Sequence, residues 1–112
     1  MKKVEAVIRE DQLAVVRAAL EEIGYPGITI SSVRGHGRQR GVKQTWRGRE
    51  FTVDLLPKVK LELIVSDRDA DAIAKTIAEN ARTGAVGDGK IWVFGIDSIM
   101  RVRTGETGEV AL

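Results

Sequence analysis

The chain has 112 residues, 18 basic and 16 acidic side chains, a formal net charge of +2 and no cysteine. A chain of this length forms one domain with a modest core, and the lack of thiols excludes disulfides and thiolate metal sites. Glu5 and Arg9 interrupt the apolar stretch that follows Met1. We therefore expect neither a signal peptide nor a membrane span, and a cytoplasmic location.

The first part of the chain predicts a strand, a helix and a second strand. Apolar residues alternate from Val4 to Ile8, which is the period of a strand with one buried face. From Leu13 to Ile23 they recur at helical spacing, and we expect Asp11 to cap this helix. Residues 28–33 are rich in β-branched side chains and predict the second strand.

The periodicity ends at Gly35 and returns near Leu56. An interval of this length inside a small domain is typical of a functional loop. Its basic side chains, with no acidic residue between residues 34 and 49, are Arg34, Arg38, Arg40, Lys43, Arg47 and Arg49. We therefore expect a long basic loop.

The second part of the chain resumes a regular pattern. Residues 59–65 alternate as a third strand, and Ser66 or Asp67 is the expected cap of a second helix. Residues 91–96 predict a fourth strand, which residues 100–103 extend or follow as a short fifth one. The apolar stripe of the second helix consists of Ala70, Ile73, Ile77 and Ala81.

The order βαββαβ predicts an antiparallel sheet with both helices on one face, which is a ferredoxin-like α+β fold. The fourth strand is apolar on both faces, with Ile91 and Val93 on one side and Trp92, Phe94 and Ile96 on the other. Because two helices cover only one face, we expect a homo-oligomer that packs sheet against sheet.

A glycine-rich segment between Gly84 and Lys90 precedes the fourth strand and has the G-x-x-x-x-G-K spacing of a P-loop. Ile91 stands where a P-loop needs Ser or Thr for magnesium, and the segment runs from helix to strand rather than from strand to helix. Its glycines still allow successive N–H groups to converge on an anion. A helix C-cap and turn is the alternative interpretation, so the segment is a candidate phosphate site without being an ATPase motif.

Two further cationic segments are candidates for the same site. Arg101 and Arg103 alternate with apolar residues, which places two guanidinium groups on one strand face at a spacing suited to phosphate oxygens. A solvated edge guarded by charge is the alternative. Residues 35–41 also combine glycines with cations, but Arg40 replaces the third glycine of a dinucleotide fingerprint and no helix is predicted to follow.

Taken in order, these motifs resemble the PII nitrogen-regulatory signal-transduction proteins over nearly the whole chain. The likeness is carried by Gly35-x-Gly-Arg-Gln, Arg47-Gly48, Asp54-x-Leu-Pro-Lys-Val-Lys, Gly87-Asp-Gly-Lys-Ile-Trp-Val and Arg101-Val-Arg-Thr-Gly. It implies one PII domain over residues 1–112 and a homotrimer with nucleotide sites between neighbouring subunits. It also implies a mobile T-loop at about residues 37–55, a B-loop at about 82–90 and a C-terminal loop at about 102–112.

The resemblance implies a sensor that binds ATP or ADP competitively and that binds 2-oxoglutarate together with magnesium and ATP. The residues implied for the nucleotide, some of them from the adjacent subunit, are Thr29, Gly35, Gly37, Arg38, Gln39, Glu62, Ile64, Gly87, Asp88, Gly89, Lys90, Arg101 and Arg103. Thr29, Glu62 and Ile64 would line the adenine pocket. The residues implied for 2-oxoglutarate are Gly37, Gln39, Gly41 and Lys58, with the Gln39 amide oxygen on magnesium.

The resemblance also implies partners and one departure from the family. Arg47 resembles an arginine with which relatives reach into the pore of an ammonium transporter, so that transporter and glutamine synthetase are the implied partners. The membrane would be met only through the transporter. Phe51 replaces the tyrosine that receives a nucleotidyl group, and Arg49 replaces a serine that some relatives phosphorylate. We expect neither modification, because Phe51 has no phenolic nucleophile.

Three other functions are open to this sequence. RNA-recognition domains share the βαββαβ order, but residues 4–9 and 59–65 lack the aromatic side chains on which bases stack, so we expect no nucleic-acid partner. Lys58, Glu62 and Asp88 are conceivable acid–base groups, but no nucleophile with an adjacent base is evident, so we expect no enzyme. A PII-like sensor of another small molecule is the closest alternative, against which Gln39 and Lys58 argue.

Overall fold

The computed structural model describes residues 1–36, 42–53 and 55–112, and for residues 42–46 and 50–53 it describes the backbone alone. The elements in chain order are β1 Lys2–Arg9, α1 Leu13–Glu22, β2 Thr29–Gly35, β3 Val42–Trp46, β4 Arg49–Val53, β5 Leu56–Val65, α2 Ala70–Ala81 and β6 Gly89–Gly95. Short 3₁₀ turns precede both helices at Glu10–Gln12 and Asp67–Asp69, and another lies at Gly108–Ala111.

Four of the strands form one antiparallel sheet in the order β2-β5-β1-β6, and both helices belong to the same core as this sheet. This is the ferredoxin-like α+β arrangement that the sequence predicts, and the prediction is confirmed. The remaining strands, β3 and β4, pair with each other as a separate two-stranded ribbon.

One face of the sheet, here called the helix face, carries the apolar side chains that the alternation predicts. Its buried members are Val4, Ala6, Ile8, Val59, Leu61, Leu63 and Val65. They pack in one cluster with Val16 and Leu20 of α1 and with the predicted stripe of α2, all four members of which are buried. Burial of apolar surface is the largest favourable term in folding, so this face holds the domain together.

The predicted helix caps are wrong. The residues at the N-caps are Gln12 for α1 and Asp69 for α2, and neither makes a side-chain capping hydrogen bond. Asp69 instead accepts hydrogen bonds from Tyr25 and Ser66, while Asp67 pairs with the terminal amine of Met1 at 2.8 Å. These side chains therefore bind other groups instead of the N–H groups at the helix start. A 3₁₀ turn begins each helix where a capping residue was expected.

The interval that the sequence predicts to be a loop contains the β3–β4 hairpin. Its two connecting residues, Arg47 and Gly48, both have positive φ, at 51° and 76°. Two such residues between antiparallel strands form the type I′ connection, whose twist matches that of the flanking strands. Gly48 was the sequence signal that could have predicted this hairpin turn. The rest of the predicted T-loop, residues 37–41 and 54, lies outside the described residues.

The predicted strand at residues 100–103 is also wrong. Met100 forms an isolated bridge with Thr107, and the residues between them make a turn that contains Gly105 at φ 73°. The alternation of apolar and basic residues here reflects a turn rather than a strand. Within the described ranges, no helix is long and apolar enough to cross a membrane.

The opposite side of the sheet, here called the open face, carries most of the charged side chains of the sheet, and neither α1 nor α2 packs on it. Its positions alternate with those of the helix face, and its members include Lys3, Glu5, Val7, Arg9, Thr29, Ser31, Val33, Lys58, Lys60, Glu62, Ile64, Lys90, Trp92 and Phe94. Trp92 and Phe94 remain 39% and 44% exposed in the single chain. The homo-oligomer that would cover them stays a prediction.

Candidate functional site

The glycine-rich segment forms a loop between α2 and β6 that is organised by one carboxylate. Asp88 accepts hydrogen bonds from the backbone N–H groups of Thr83 and Gly84 at 2.8 and 2.9 Å, and from the Thr83 hydroxyl. Arg9, at the end of β1, adds an ion pair through Nε at 2.9 Å. The loop is therefore held in place by its own residues together with Arg9, and such preorganisation is what an anion site requires.

The electrostatics of Asp88 agree with this organising role. The Thr83 hydroxyl, followed by the Arg9 guanidinium, holds the pKa of the Asp88 carboxyl far below its usual range. The sequence places Asp88 among the phosphate-holding residues. In the structure its carboxylate accepts from Thr83, Gly84 and Arg9, so its direct contribution is to connect the start of the loop to its end and to β1.

Gly89 is the residue at which the loop enters the sheet, and no other residue type fits there. It has φ 100°, and a Cβ at this position would lie 1.7 Å from the carbonyl oxygen of Val7. The next residue, Lys90, is exposed on the open face. The close approach of β6 to β1 thus fixes the backbone at the point where the loop enters the sheet, next to Lys90.

Arg9 and Lys58 lie under this loop at the ends of β1 and β5, where they are paired across the sheet. Arg9 Nη2 donates to the Val86 carbonyl at 2.8 Å, and Lys58 Nζ donates to the Gly87 carbonyl at 2.7 Å. Burial, followed by the nearby Arg9 charge, lowers the pKa of Lys58. A cavity of about 480 Å³ opens beside them, lined by Arg9, Glu10, Asp11, Leu56, Pro57 and Lys58.

This cavity is a candidate carboxylate site, because two cations reach one concave surface there. The sequence predicts Lys58 for such a role and misses Arg9. The alternation in β1 placed Arg9 on the face opposite the core, and nothing local indicated that the loop after α2 would reach it. The available signal was its position as the last residue of a strand in an open α+β sheet.

A second concave surface lies at the other end of β5. Thr29 and Glu62 are directly opposite each other across β2 and β5, and Ile64 follows on the same face. They line a cleft of about 420 Å³ together with Lys3, Gly27, Ile28 and Leu63. The structure therefore brings together the three residues predicted for the adenine pocket, with an apolar wall and a carboxylate that can accept from a base amino group.

The two C-terminal arginines are not on a common strand face. Arg101 forms an ion pair with Glu106 at 3.0 Å and donates to the carbonyl of Val110 at 2.9 Å. Arg103 is exposed in the turn. In the part of the chain that the structure describes, no hydrogen bond joins either arginine to the glycine loop.

The remaining predicted residues are only partly described. Gly35 is the last residue of β2, and a Cβ added to it would lie 3.6 Å from Lys58 Cγ. Arg47 lies exposed at the hairpin turn. Gly37, Arg38, Gln39 and Gly41 lie outside the described residues. Over the described ranges, no group of three or more acidic or histidine side chains could hold a metal ion.

Comparison with known proteins agrees with this geometry. The family model described as "Nitrogen regulatory protein P-II" matches residues 1–106. The P-II 2 protein of Methanothermobacter thermautotrophicus is 47% identical over 112 residues, covering 100% of this chain and 97% of that protein. The P-II 1 protein of Escherichia coli K12 is 46% identical over 112 residues, covering all of both chains.

A solved structure extends the likeness to three dimensions. The crystal structure of Arabidopsis thaliana PII bound to citrate has a TM-score of 0.81 and 40% sequence identity, and the match covers 99% of this chain and 91% of that one. The family model spans most of the sequence, and the relatives are matched over nearly their full length. The chain therefore belongs to the nitrogen regulatory protein P-II family.

Proposed function

We propose that this protein is a nucleotide-dependent sensor of the P-II type, which binds ATP or ADP and reports 2-oxoglutarate to a nitrogen-assimilation target without acting as an enzyme. The observation that carries the proposal is the pairing of two incomplete sites on one chain. One is the glycine loop organised by Asp88, with Lys90 beside it. The other is the cleft of Thr29, Glu62 and Ile64.

The positions of the two half-sites favour a nucleotide shared between copies. Lys58 contacts the loop carbonyl at Gly87, whereas Ile64 lines the cleft six residues further along β5. At about 3.3 Å per residue, the part of the loop at Gly87 and the part of the cleft at Ile64 are separated by roughly 20 Å along the strand. A ring of three subunits would place the loop of one copy against the cleft of the next, with Arg101 and Arg103 of the neighbour on the phosphates.

Each half-site would perform a separate part of nucleotide recognition. Backbone N–H groups at Gly87 and Gly89 and the Lys90 ammonium would hold phosphate oxygens, completed by Gly35, Gly37 and Arg38. Thr29 and Glu62 would read the adenine edge against Ile64. Magnesium would be held through the phosphates and Gln39, which fits a described region that offers no carboxylate cage of its own.

The cavity beside Lys58 and Arg9 is the proposed 2-oxoglutarate region, completed by Gly37, Gln39 and Gly41. Two cations at the edge of one cavity suit a dicarboxylate. The Arabidopsis PII was solved bound to citrate, itself a polycarboxylate, which supports small carboxylate binding in this chain. Lys58 donates to Gly87 in the present arrangement, so an incoming carboxylate would compete with a loop contact.

The output segment would be the T-loop, residues 37–55. Ligand binding at its base would favour one of its arrangements over others. Arg47, exposed at the turn between β3 and β4, would contact an ammonium transporter, and glutamine synthetase is the other proposed target. The protein would work in the cytoplasm and meet the membrane through the transporter. Phe51 would leave the loop without uridylylation, so ligands alone would set its state.

The experiment that tests this function is calorimetric titration of 2-oxoglutarate with and without magnesium-ATP. We expect binding only when magnesium-ATP is present, and loss of that binding in Lys58→Met. Lys75→Met, an exposed lysine on α2, is the matched control and should bind like the wild type. ATP binding without any 2-oxoglutarate binding would instead favour a P-II-like sensor of another small molecule. Absence of ATP binding would contradict the proposal.

A further inference from the structure

A row of polar side chains crosses the open face of the sheet from one edge to the other. Trp92 of β6 is opposite Glu5 of β1, Glu5 is opposite Glu62 of β5, and Glu62 is opposite Thr29 of β2. The row therefore begins on the strand that carries the glycine loop and ends in the cleft proposed for the base.

Two carboxylates face each other in the middle of this row. Like charges directly opposite across paired strands repel each other, so Glu5 and Glu62 need a cation to remain in place. Lys3 supplies it, with Nζ 2.9 Å from Glu5 Oε1 and 2.8 Å from Glu62 Oε1. Lys60 lies more distantly, 3.9 Å from Glu5 and 4.0 Å from Glu62.

Glu5 is also held from its other side. Trp92 Nε1 donates to Glu5 Oε2 at 2.6 Å, and the Glu5 residue is 8% exposed. Lys3 further lies 5.9 Å from the centroid of the Phe94 ring, within the range of a cation–π contact. The Lys3 ammonium is thus located by groups on three strands rather than by Glu62 alone.

We propose that Lys3 is a positioning residue for Glu62, and that Trp92 fixes Lys3 through Glu5, so that this row sets the preference of the cleft for adenine. The inference rests on the proposed function, in which the Glu62 carboxylate accepts from the adenine amino group. Lys3 engages Oε1 and directs Oε2 toward the base. Guanine carries a carbonyl oxygen at the corresponding position, so a well-placed carboxylate would reject it.

The first test measures base selectivity by calorimetry with ATP, GTP and inorganic triphosphate. In Lys3→Met we expect the ratio of ATP affinity to GTP affinity to fall about tenfold, since the Glu62 carboxylate loses the nearer of its two charged partners. Affinity for inorganic triphosphate, which has no base, should stay within about twofold of the wild type. Lys3→Arg keeps the cation and should restore most of the ratio.

Lys2→Met is the matched control, because it removes the same charge from the adjacent residue, which lies on the helix face. It should leave the ATP-to-GTP ratio unchanged. Circular dichroism and thermal unfolding of each variant establish that the folded protein is being compared. If the wild type binds neither ATP nor triphosphate, the proposed function fails. If it binds both and Lys3→Met keeps the wild-type ratio, only the present inference is overturned.

The second test uses Trp92 as its own reporter in a Trp46→Phe background, which leaves a single tryptophan. ATP binding should shift the Trp92 emission, because Glu62 and Glu5 share one ammonium group. The shift should be at least halved in Lys3→Met, whereas inorganic triphosphate should cause a much smaller shift in either protein. An equal ATP-induced shift with and without Lys3 would contradict the proposed linkage.

Discussion

The helix face and the open face of the sheet are built from alternate residues of the same strands, but the first is held by apolar burial and the second by ion pairs. On β5, Leu61 is fully buried in the core, while the adjacent Glu62 is only partly buried and faces the proposed cleft. The helix face is apolar and closed by α1 and α2. The open face joins Lys3, Glu5, Lys60 and Glu62 in an ion network. Along each strand, residues that stabilise the core thus alternate with residues that are available for the proposed recognition, as Leu61 and Glu62 do.

This separation predicts that neighbouring substitutions have different consequences. Leu61→Ala should lower the free energy of unfolding by about 2–5 kcal/mol, because it leaves a cavity in the core. The fraction that remains folded should bind ATP as the wild type does. Urea unfolding and calorimetry together measure the two quantities. A loss of ATP affinity in fully folded Leu61→Ala would contradict the division of roles between the two faces.

The glycine loop is expected to respond next most strongly, because it joins the two faces. Gly89→Ala places a methyl group against the Val7 carbonyl at positive φ, with an expected cost of about 1–3 kcal/mol in stability. It should also weaken triphosphate binding, because β6 must move away from β1. Gly95→Ala, at the other end of β6, is the control, since a Cβ there meets only the end of the flexible Lys2 side chain, at 4.0 Å. If the two variants had equal stability and equal triphosphate affinity, the close approach of Gly89 to the Val7 carbonyl would be contradicted.

Glu62→Ala is the open-face counterpart of Leu61→Ala. The change in unfolding free energy should be at most about 1 kcal/mol, which is typical of partly exposed ion pairs. ATP affinity should fall about tenfold or more, as expected for loss of a charged hydrogen bond. A large loss of stability with unchanged ATP affinity would reverse the roles of the two faces.

The smallest predicted effect is a pH dependence at the loop. The pKa of Asp88 is depressed in the folded protein, so its contribution is present above its ordinary value of 3.8 and is lost as the pH falls below that. The difference in stability between the wild type and Asp88→Asn should therefore shrink as the pH is lowered from 6 toward 2. Thr83→Val, which removes the first donor, should shift this loss to higher pH. A pH-independent difference would contradict the role of Asp88.

The sequence predicted the helix face well because that face depends on periodicity alone. The alternation in β1 and β5 and the stripe of α2 placed the buried residues of the helix face correctly, whereas the burial of Glu5 and Lys58 on the open face does not follow from it. It predicted the three cleft residues through family resemblance, and the structure gathers them around one concave surface. The caps were wrong, because Ser66, Asp67 and Asp69 bind partners that are distant in sequence or belong to the turn itself.

The contacts that sequence reasoning missed all join different strands or loops. Arg9 meets Asp88 across 79 positions of the chain, and Trp92 meets Glu5 across 87. No local pattern contains such a pair. The supposed strand at residues 100–103 was wrong for a local reason, since Glu106 and Thr107 fold back onto it around the turn at Gly105.

The central claim, that one nucleotide site is shared by two copies, is tested most directly by combining Lys90→Ala with Glu62→Ala in separate chains. The two variants are co-expressed with different tags, and assemblies containing both are purified and titrated with ATP. Each variant alone should bind ATP weakly. In a three-membered ring, the mixture should recover about one third of the wild-type number of sites at wild-type affinity. Recovery of no strong site would contradict a shared cleft.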